Sequence, residues 1–461
     1  MNNQHQNTIH EPARDIKVCH EADVIVVGGG PGGHSAVVAA ARNGARTALI
    51  ERYGHLGGMA TGGLVIQILL MSDSTGEQLV GGLCQEWIDR LKPVNGVLVP
   101  DYADLGSTDP DVLARWRRIL FTVVGGRIRL TATVDPELLK CALNDMVEEA
   151  GVKLFLHSWG TRAIVEDGVM KGVVFESKSG RQAVLGKVVI DGTGDGDIMA
   201  SAGIPYEEGF EENMRAANMA LVWRIGGVDF NRFCDFQESD RAGYSELMTA
   251  LRKETGGITV VPIASAREDV VWFNNRVPGL SATNVEHLTK VEVDMRKVMR
   301  TSYRFFRESM PGFENSFILD SASQTGTRGG RRMMGEYVYP YKDLVAGVVH
   351  EDTIAVLPST TNAPMDNPPG DEGERGYVPY RSLLPRDIEG LLVACRAFSS
   401  DMAANDAFNW IPHCIAFGEA AGTAAAMAVK NGILVRNVAA AELQKQLLAQ
   451  GVLLPGVKVP G

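Results

Sequence analysis

Residues 22–52 constrain the fold most, because they combine two apolar strands, a helix and a glycine-rich turn in a fixed order. They read ADVIVVGGGPGGHSAVVAAARNGARTALIER. DVIVV and ARTALI have the composition of buried strands, and HSAVVAAARNG that of a helix. Gly28, Gly30 and Gly33 fill G-x-G-x-x-G between the first strand and the helix, and Glu51 ends the second strand. This order predicts an α/β chain with a dinucleotide site at its first turn.

Each glycine has a separate role in such a turn. Gly28 permits the tight turn, Gly30 lets the backbone approach a pyrophosphate, and Gly33 lets the helix pack closely on the strand. The pyrophosphate would lie at the helix N-terminus, where free N–H groups and the helix dipole favour anions. Glu51 would accept hydrogen bonds from a ribose. The alternative is a glycine-rich turn in an α/β domain without a nucleotide.

The composition is that of a globular enzyme of 461 residues, long enough for two joined domains. The net charge of −11 argues against nucleic acid or an anionic membrane surface as a partner. No apolar run is long enough for a membrane span, and the polar N-terminus lacks a secretory signal. The six cysteines form no C-x-x-C pair, so we expect a cytoplasmic protein without a metal site.

The middle of the chain favours a flavin over a nicotinamide. Three β-rich pieces between residues 159 and 191 predict an antiparallel meander, which ends in DGTGDGD, Asp191–Asp197. The sequence has no second strand–G-x-G-x-x-G–helix unit for NAD(P)H. The loop RYGHLGGMATGG, Arg52–Gly63, follows the ribose acid where a nicotinamide domain normally continues with a helix.

From these motifs onward the sequence resembles the FAD-dependent oxidoreductases of the glutathione-reductase-like superfamily. It is most similar to the branch that includes the fumarate reductase and succinate dehydrogenase flavoproteins. The resemblance runs from Asp23 to Leu454 and is carried by GGMATGG, IDGTGDGD, TGTRGGRRMMGEY, YVPYRSLLP, LLVACRAFSSD and AFGEAAGTAAAMA. It implies a Rossmann-like FAD-binding domain with an antiparallel β-meander and an inserted α+β substrate domain.

The resemblance also implies non-covalent FAD and a set of residues around it. In the motif LLVACRAFSSD, the family usually has a glycine before the arginine, whereas this chain has Cys395. Where this chain has His413, the family more often has a small or hydroxyl residue. The residues expected to bind FAD are Gly28, Gly30, Pro31, Gly32, Gly33, Glu51, Arg52, Gly57, Gly58, Met59, Asp191, Gly192, Gly194, Asp197, Arg396, Asp401, Ile411 and Pro412.

We interpret residues 1–20 as a flexible tail and residues 206–324 as the inserted substrate or cap domain. Residues 21–205 and 325–461 then form the discontinuous FAD-binding domain. The segment TTNAPMDNPPGDEGERGYVPY, Thr360–Tyr380, is predicted to be a surface loop and a candidate lid over the active site.

A late helix beginning near NWIPHCIAFGEAAG carries few large side chains. The family fold directs the N-terminus of this helix at the pyrimidine end of the flavin, where its dipole stabilises the charge of the reduced ring. The small residues would let it lie against the cofactor and the first βαβ unit. His413, at its head, is a candidate proton carrier, or alternatively a capping or core histidine without chemistry.

The substrate side is predicted from TGTRGGRRMMGEY. Arg328 and Arg331 are candidate catalytic residues that would form a cationic mouth for a carboxylate or phosphate. They would share one face if this segment were helical. The alternative is that one or more of Arg328, Arg331 and Arg332 form structural ion pairs.

The sequence therefore predicts an FAD-dependent oxidoreductase, a dehydrogenase or reductase that moves a hydride between a small, anionic or neutral organic substrate and flavin N5. The electron partner would be a second substrate, oxygen or a carrier protein. The sequence does not determine whether the protein forms a homo-oligomer. One alternative is an FAD-dependent monooxygenase or halogenase. A non-catalytic or RNA-modifying flavoprotein is an alternative of another class, which the net charge disfavours.

Overall fold

The computed structural model describes residues 8–358 and 375–459. Its centre is a parallel sheet of five strands, which places the chain in the predicted α/β class. In spatial order the strands are Leu391–Val393, Val188–Asp191, Val24–Val27, Thr47–Ile50 and Lys153–Phe155. Because all five are parallel, their carboxyl ends lie at one edge of the sheet, where loops from distant segments meet.

A second sheet begins at the N-terminal end of the chain. Its strands, in spatial order, are Lys17–Glu21, Gly180–Leu185, Val169–Ser177 and Trp159–Glu166. The last three pair antiparallel, whereas Lys17–Glu21 is parallel to its neighbour. The flexible tail predicted for residues 1–20 is therefore too long, because the backbone of residues 17–20 completes the edge of this sheet.

Residues 206–324 contribute an antiparallel sheet with the order Val260–Ala264, Val270–Asn275, Trp223–Gly226 and Phe317–Ser321. Three helices accompany it, Phe230–Ser239, Arg241–Glu254 and Val285–Ser309. Aromatic rings of Phe233, Phe273, Phe306 and Phe313 pack edge to face between sheet and helices. These side chains belong to the same apolar core as the parallel sheet.

Strands on both sides of residue 325 pair with each other. Asn218–Ala220 lies between Val277–Pro278 and Gly326–Thr327, and Tyr206–Glu208 pairs with Arg331–Met333. The arginine-bearing segment is thus extended, and the helical arrangement considered for Arg328 and Arg331 is wrong. The glycines between them and the pairing with a distant strand explain the difference.

The remaining elements surround these sheets. Short strands are Gln67–Ile68, Val97–Leu98, Val123–Val124, Arg127–Ile128 and Ala132–Val134. Further helices are Pro31–Arg42, Gly82–Leu91, Pro110–Trp116, Pro136–Glu149, Asp197–Ser201, Tyr341–Val345, Met402–Phe408, Ile411–Asn431 and Ala440–Ala449. Short 3-10 turns are Gly58–Ala60, Lys92–Val94, Tyr102–Asp104, Arg215–Ala217, Tyr380–Leu383 and Val435–Asn437. Among the described residues, no helix combines the length and apolarity needed to cross a bilayer.

The candidate lid falls partly outside the described residues, which do not include 359–374. Its last part is not a loop, because Arg375–Pro379 is a strand that pairs antiparallel with Thr353–Pro358. Arg375 also forms an ion pair with the buried carboxylate of Asp73, at 2.6 Å. Backbone hydrogen bonds between the two strands and a partly buried ion pair therefore fix the end of the predicted loop.

The late helix, Ile411–Asn431, packs directly on the first helix, Pro31–Arg42. A Cβ at Gly418 would lie 1.9 Å from the carbonyl oxygen of Gly32, and one at Gly422 would lie 2.0 Å from that of Ala36. Gly418 and Gly422 are four residues apart, as are Gly32 and Ala36, so the two helices are in backbone contact over at least one full turn. The small residues of the late helix are explained by this contact.

We expect Gly422→Ala to destabilise the protein. In an exposed helix this change gains about 1 kcal/mol of helix propensity. Here the new methyl group must separate two backbones, and overpacking of this kind costs about 1–3 kcal/mol or more. Chemical denaturation measures the effect. Ser245→Ala, at an exposed position of helix Arg241–Glu254, is the control, because it also raises helix propensity without adding a group between two backbones, and it should change stability by less than about 1 kcal/mol. Equal stability of both variants and the parent protein would contradict the close helix contact.

The late helix also buries an acid, Glu419. Its Oε2 accepts a hydrogen bond from the backbone N–H of Leu83, at 2.9 Å, where helix Gly82–Leu91 begins. Burial raises the pKa of Glu419 to about 7. The protonated carboxyl therefore stabilises the folded protein fully below its ordinary pKa of 4.5, and this contribution is lost as the pH rises through 7.

The variant Glu419→Gln should keep the shape of this side chain without its titration. Relative to the variant, the parent protein should lose about 3 kcal/mol of unfolding free energy between pH 4.5 and pH 8, since one pKa unit is worth about 1.4 kcal/mol. Urea titrations at several pH values measure the difference. Glu442→Gln, at an exposed position, should show no such trend. A constant difference between parent and Glu419→Gln would show that the buried acid does not titrate in this range.

Candidate functional site

A cleft lies at the carboxyl edge of the parallel sheet. Loops that follow the strands form it, together with residues from the late helix and from the segment before Arg328. Its lining residues are Val27, Gly28, Gly30, Pro31, Gly32, Ile50, Glu51, Arg52, Tyr53, Gly58, Met59, Ser158, Trp159, Gly160, Gly192, Thr193, Gly194, Asp197, Gln324, Thr327, Cys395, Arg396 and Cys414. Most of the residues predicted to bind a cofactor are therefore brought together.

In the glycine turn, Gly28 and Gly33 are required by packing within the protein, whereas Gly30 is not. Gly28 has a φ of +91°, and a Cβ on it would lie 2.5 Å from the carbonyl oxygen of Gly192. A Cβ on Gly33 would lie 1.7 Å from the carbonyl oxygen of Gly28. Gly30 is different, because its φ is −69° and no atom lies closer than 4.0 Å to the Cβ position. The protein itself does not require glycine there, but a ligand lying against the backbone would.

The first turn of helix Pro31–Arg42 is open to an anion. No side chain caps it, and no acidic residue lies in its first turn. The positive end of the helix dipole and its free N–H groups therefore face the cleft, which is the arrangement that binds phosphate groups.

Glu51 and its neighbours form one end of the cleft. The buried Glu51 carboxylate accepts hydrogen bonds from the backbone N–H groups of Gly29 and Tyr53, the latter at 2.7 Å. Burial raises its pKa. The Arg52 guanidinium lies 4.8 Å from the ring centroid of Tyr53 and 5.6 Å from that of Trp159. This aromatic and cationic end suits the flat base of a nucleotide.

Sequence reasoning missed Tyr53 and the segment Ser158–Gly160 in this part of the cleft. The sequence position of Ser158–Gly160 could have identified this segment as a candidate, because it follows shortly after the strand Lys153–Phe155. Carboxyl ends of parallel strands collect at one edge, so loops after every strand of such a sheet are candidates.

Asp191 organises the second glycine-rich turn without lining the cleft. Its Oδ1 accepts hydrogen bonds from the N–H and hydroxyl of Thr193, at 3.0 and 2.7 Å, and its Oδ2 accepts one from the N–H of Met199, at 2.8 Å. Burial raises its pKa to about 6. The ordered turn holds Gly192 and Gly194 against the cleft.

Two arginines near this turn have different environments. Arg396 lines the cleft and donates hydrogen bonds to Asp195 Oδ2, at 2.7 Å, and to the Thr327 hydroxyl, at 2.6 Å. Arg331 forms an ion pair with Asp197, at 2.9 Å, and donates to the Asp195 carbonyl, at 3.1 Å. Its position matches the structural ion pair that was the alternative to a catalytic role.

Arg332 and Asp401 also have structural partners. Arg332 is buried, donates to the Gly209 carbonyl at 2.5 Å and pairs with Glu207 at 3.3 Å. Asp401 caps helix Met402–Phe408 and accepts a hydrogen bond from the backbone N–H of Tyr341. Predicted site residues that do not line the cleft are Gly33, Gly57, Asp191, Asp401, Ile411, Pro412, His413, Arg328 and Arg331.

The late helix reaches the cleft through Cys414. Like the first helix, it has no side-chain cap and no acid in its first turn. Its head, residues 411–414, therefore brings a second positive helix end towards the same cleft.

His413 is fully buried at this helix head. Its Nδ1 lies 3.1 Å from the carbonyl oxygen of Phe408, and its ring packs against the Phe408 ring. Burial lowers its pKa to about 3, so the ring is neutral near pH 7. This environment favours the core-histidine alternative, and the proton-carrier role stays a prediction.

The sequence matches the family described as FAD dependent oxidoreductase over residues 23–447. No curated protein matches it. Among solved structures it is similar to p-nitrophenol 4-monooxygenase from Pseudomonas putida, with 10% identity, a TM-score of 0.46, and coverage of 93% of this chain and 83% of that one. L-Amino acid deaminase from Proteus myxofaciens shows 12% identity, a TM-score of 0.40, and coverage of 92% and 93%. Likenesses at this level carry no information about the substrate of this chain.

The residues of the cleft fit FAD. The bare position at Gly30 gives room for a pyrophosphate against the backbone, and the uncapped helix supplies its N–H groups. Glu51 keeps acceptor capacity for a ribose, because each carboxylate oxygen has two lone pairs.

Within residues 8–358 and 375–459, no three His, Cys, Asp or Glu side chains are placed to hold a metal ion.

Substitution of the glycines should separate binding from folding. We expect Gly30→Ala to weaken FAD binding at least tenfold, because its methyl group would enter the space next to the turn, while apoprotein stability changes by less than about 1 kcal/mol. Gly33→Ala should instead destabilise the apoprotein by about 3 kcal/mol or more, because its Cβ overlaps the Gly28 carbonyl. Quenching of flavin fluorescence and thermal unfolding measure the two effects. Unchanged FAD affinity in Gly30→Ala would argue against a cofactor on this turn.

Proposed function

Because the chain belongs to the FAD-dependent oxidoreductase family, we propose that it transfers a hydride between a small organic substrate and N5 of FAD. The observation that carries this proposal is that one cleft is lined both by the glycine turn and by Cys414 at the head of the late helix. The sequence contains one nucleotide-binding βαβ unit and no second one for NAD(P)H. The substrate and the electron partner would therefore react with the same flavin, one after the other.

The chain offers a distinct group for each part of FAD. Tyr53 and Trp159 would hold the adenine, Glu51 the ribose, and the turn at Gly30 with the first helix the pyrophosphate. Arg396 would lie beside the remainder of the cofactor. Relatives of the superfamily can bind flavin covalently through a histidine near His55, in the loop Arg52–Gly63. Here His55 is hydrogen-bonded to Ser323, at 3.2 Å, and does not line the cleft, which supports non-covalent binding.

FAD, when bound, supplies two-electron chemistry, in which a hydride leaves a substrate carbon and a proton leaves the substrate separately, or the reverse. The head of the late helix would stabilise negative charge on the pyrimidine side of the ring, through its free N–H groups and its dipole. We infer this use of the late helix from the resemblance to the fumarate reductase and succinate dehydrogenase branch, and membership of that branch is part of the same proposal. Residues 206–324 would cover the ring as the substrate domain.

The decisive experiment is anaerobic mixing of the FAD-loaded protein with small acids, amines and alcohols. Loss of the oxidised flavin absorbance with at least one class would support a dehydrogenase. If no compound reduces the flavin, the chemically reduced protein is tested with the same panel for reoxidation without oxygen, which would support a reductase. A product that forms only with reduced flavin and oxygen, and contains the added oxygen atom, would instead identify a monooxygenase. Failure to bind FAD would overturn the proposal.

His413→Gln tests the role of the buried histidine. Because the ring is neutral and buried, we expect the rate of flavin bleaching to change less than about threefold. Loss of the contact with the Phe408 carbonyl should cost about 1–3 kcal/mol of stability. Stopped-flow absorbance and chemical denaturation measure the two quantities. Bleaching slowed more than tenfold at unchanged FAD content would establish the proton-carrier role.

A further inference from the structure

A second cleft lies at the far end of the first helix, away from the cofactor cleft. Ala39, Arg42 and Asn43, at the end of helix Pro31–Arg42, form one wall, and Gly82, where helix Gly82–Leu91 begins, belongs to another. The glycine turn precedes the same first helix, whose 12 residues span about 18 Å. No described residue lines both clefts. The second cleft is therefore separate from the site of the cofactor.

Five amide side chains line this cleft, and we call it the amide cleft: Asn43, Gln78, Gln85, Gln446 and Gln450. Each amide NH₂ group donates at least one hydrogen bond within the protein. The carbonyl oxygens of Asn43, Gln78 and Gln446, in contrast, accept no hydrogen bond from the residues that the structure describes. Since the donors are occupied and these acceptors are not, the amide cleft suits a ligand that carries N–H groups.

Glu419 reaches the amide cleft from the late helix. The residue is only 2% exposed. Its carboxyl lies against Gly82, where a Cβ would overlap both carboxylate oxygens, so a side chain at that position would displace the acid. No lysine, arginine or histidine forms an ion pair with Glu419 in the described part of the chain. A buried carboxylate without a counter-charge is unfavourable, and a cation bound beside it would remove this cost.

The other charged groups of the amide cleft already have partners. Its lining includes one guanidinium and three carboxylates, namely Arg42, Glu86, Asp89 and Glu419. Arg42 forms a bidentate pair with Glu86, at 2.6 and 2.9 Å, and Asp89 pairs with Lys92, at 2.8 Å. The buried thiol of Cys84 also lies near Glu419, and burial raises its pKa, so it is uncharged. Glu419 is therefore the carboxylate of this cleft that has no cation.

We propose that the amide cleft binds a small organic cation with several N–H donors, of the alkylammonium or alkylguanidinium class. Glu419 would neutralise the charge of this ligand, and the free carbonyl oxygens of Asn43, Gln78 and Gln446 would accept its N–H groups. A metal ion does not fit, because the described residues do not place three His, Cys, Asp or Glu side chains to hold one. The inference goes beyond the proposed function, since the amide cleft is separate from the cofactor cleft.

The test is isothermal titration calorimetry on the full-length protein loaded with FAD, at constant ionic strength. The probes are butylguanidinium and butylammonium. Tetramethylammonium, a cation without N–H groups, and butyramide, an uncharged amide, are the comparison compounds. At pH 8 we expect both probes to bind about tenfold more tightly, or better, than either comparison compound.

Variants locate the site. Glu419→Gln should weaken binding of butylguanidinium about tenfold or more, with FAD content unchanged. Glu442→Gln is the control, because that acid is exposed and does not line the amide cleft, and its affinity should equal that of the parent. Gln446→Leu should weaken binding about threefold or more, since it removes one acceptor. Gln446 is partly exposed, so this variant keeps the test valid if Glu419→Gln does not fold.

Binding should also depend on pH through Glu419. Because burial raises its pKa to about 7, the acid is mostly protonated at pH 6 and mostly ionised at pH 8. A bound cation favours the ionised form, so the affinity should fall as the pH falls through 7, and binding at pH 6 should release a proton. Calorimetry in buffers with different ionisation enthalpies measures this release. Glu419→Gln should show no release.

The outcomes separate this inference from the proposed function. Equal affinity of the parent and Glu419→Gln for butylguanidinium, or no binding of either probe, would overturn the site. Equally tight binding of tetramethylammonium would overturn recognition through N–H groups, and equally tight binding of butyramide would overturn recognition of charge. Binding of the probes to a protein whose flavin no substrate reduces or reoxidises would support this site while the proposed function fails.

Discussion

The contact between the first and the late helix is the constraint on which the site depends. Gly418 and Gly422 let the late helix touch the backbone of Gly32 and Ala36 without intervening side chains. This contact joins segments nearly four hundred residues apart and aligns their N-termini at the same edge of the parallel sheet. A late helix with larger residues at these positions would lie further out, and its head would not reach the cleft.

The distribution of charge in the cleft follows from this arrangement. Two helix N-termini without side-chain caps supply positive potential, and the nearby acids are already occupied. Glu51 and Asp191 accept backbone N–H groups, whereas Asp197 pairs with Arg331. The protein thus keeps its carboxylates from filling the positions that an anionic dinucleotide needs. A chain with a net charge of −11 can in this way bind a diphosphate, because local geometry outweighs net charge.

Strands pair across the predicted domain boundary at residue 325. Strand Gly326–Thr327 belongs to the segment that returns to the nucleotide domain, yet it pairs with Asn218–Ala220. This pairing places Arg328 next to strand Val270–Asn275, where its Nη2 donates a hydrogen bond to Asn274 Oδ1, at 3.2 Å. The two regions are therefore joined by strand pairing and by a common apolar core.

The sequence by itself determined the parallel βαβ start and the glycine turn, because these depend on residues within one short segment. It also determined the family, through short motifs spread from Asp23 to Leu454. Gly30 illustrates this, since its role follows from its position between a strand and a helix. Only the tertiary structure decided the partners of Arg331, the burial of His413, the place of residues 17–20 in a sheet, and the position of Trp159 at the cleft. Each of these depends on a strand or helix far away in the chain, and local periodicity contains no information about which distant backbone will lie alongside.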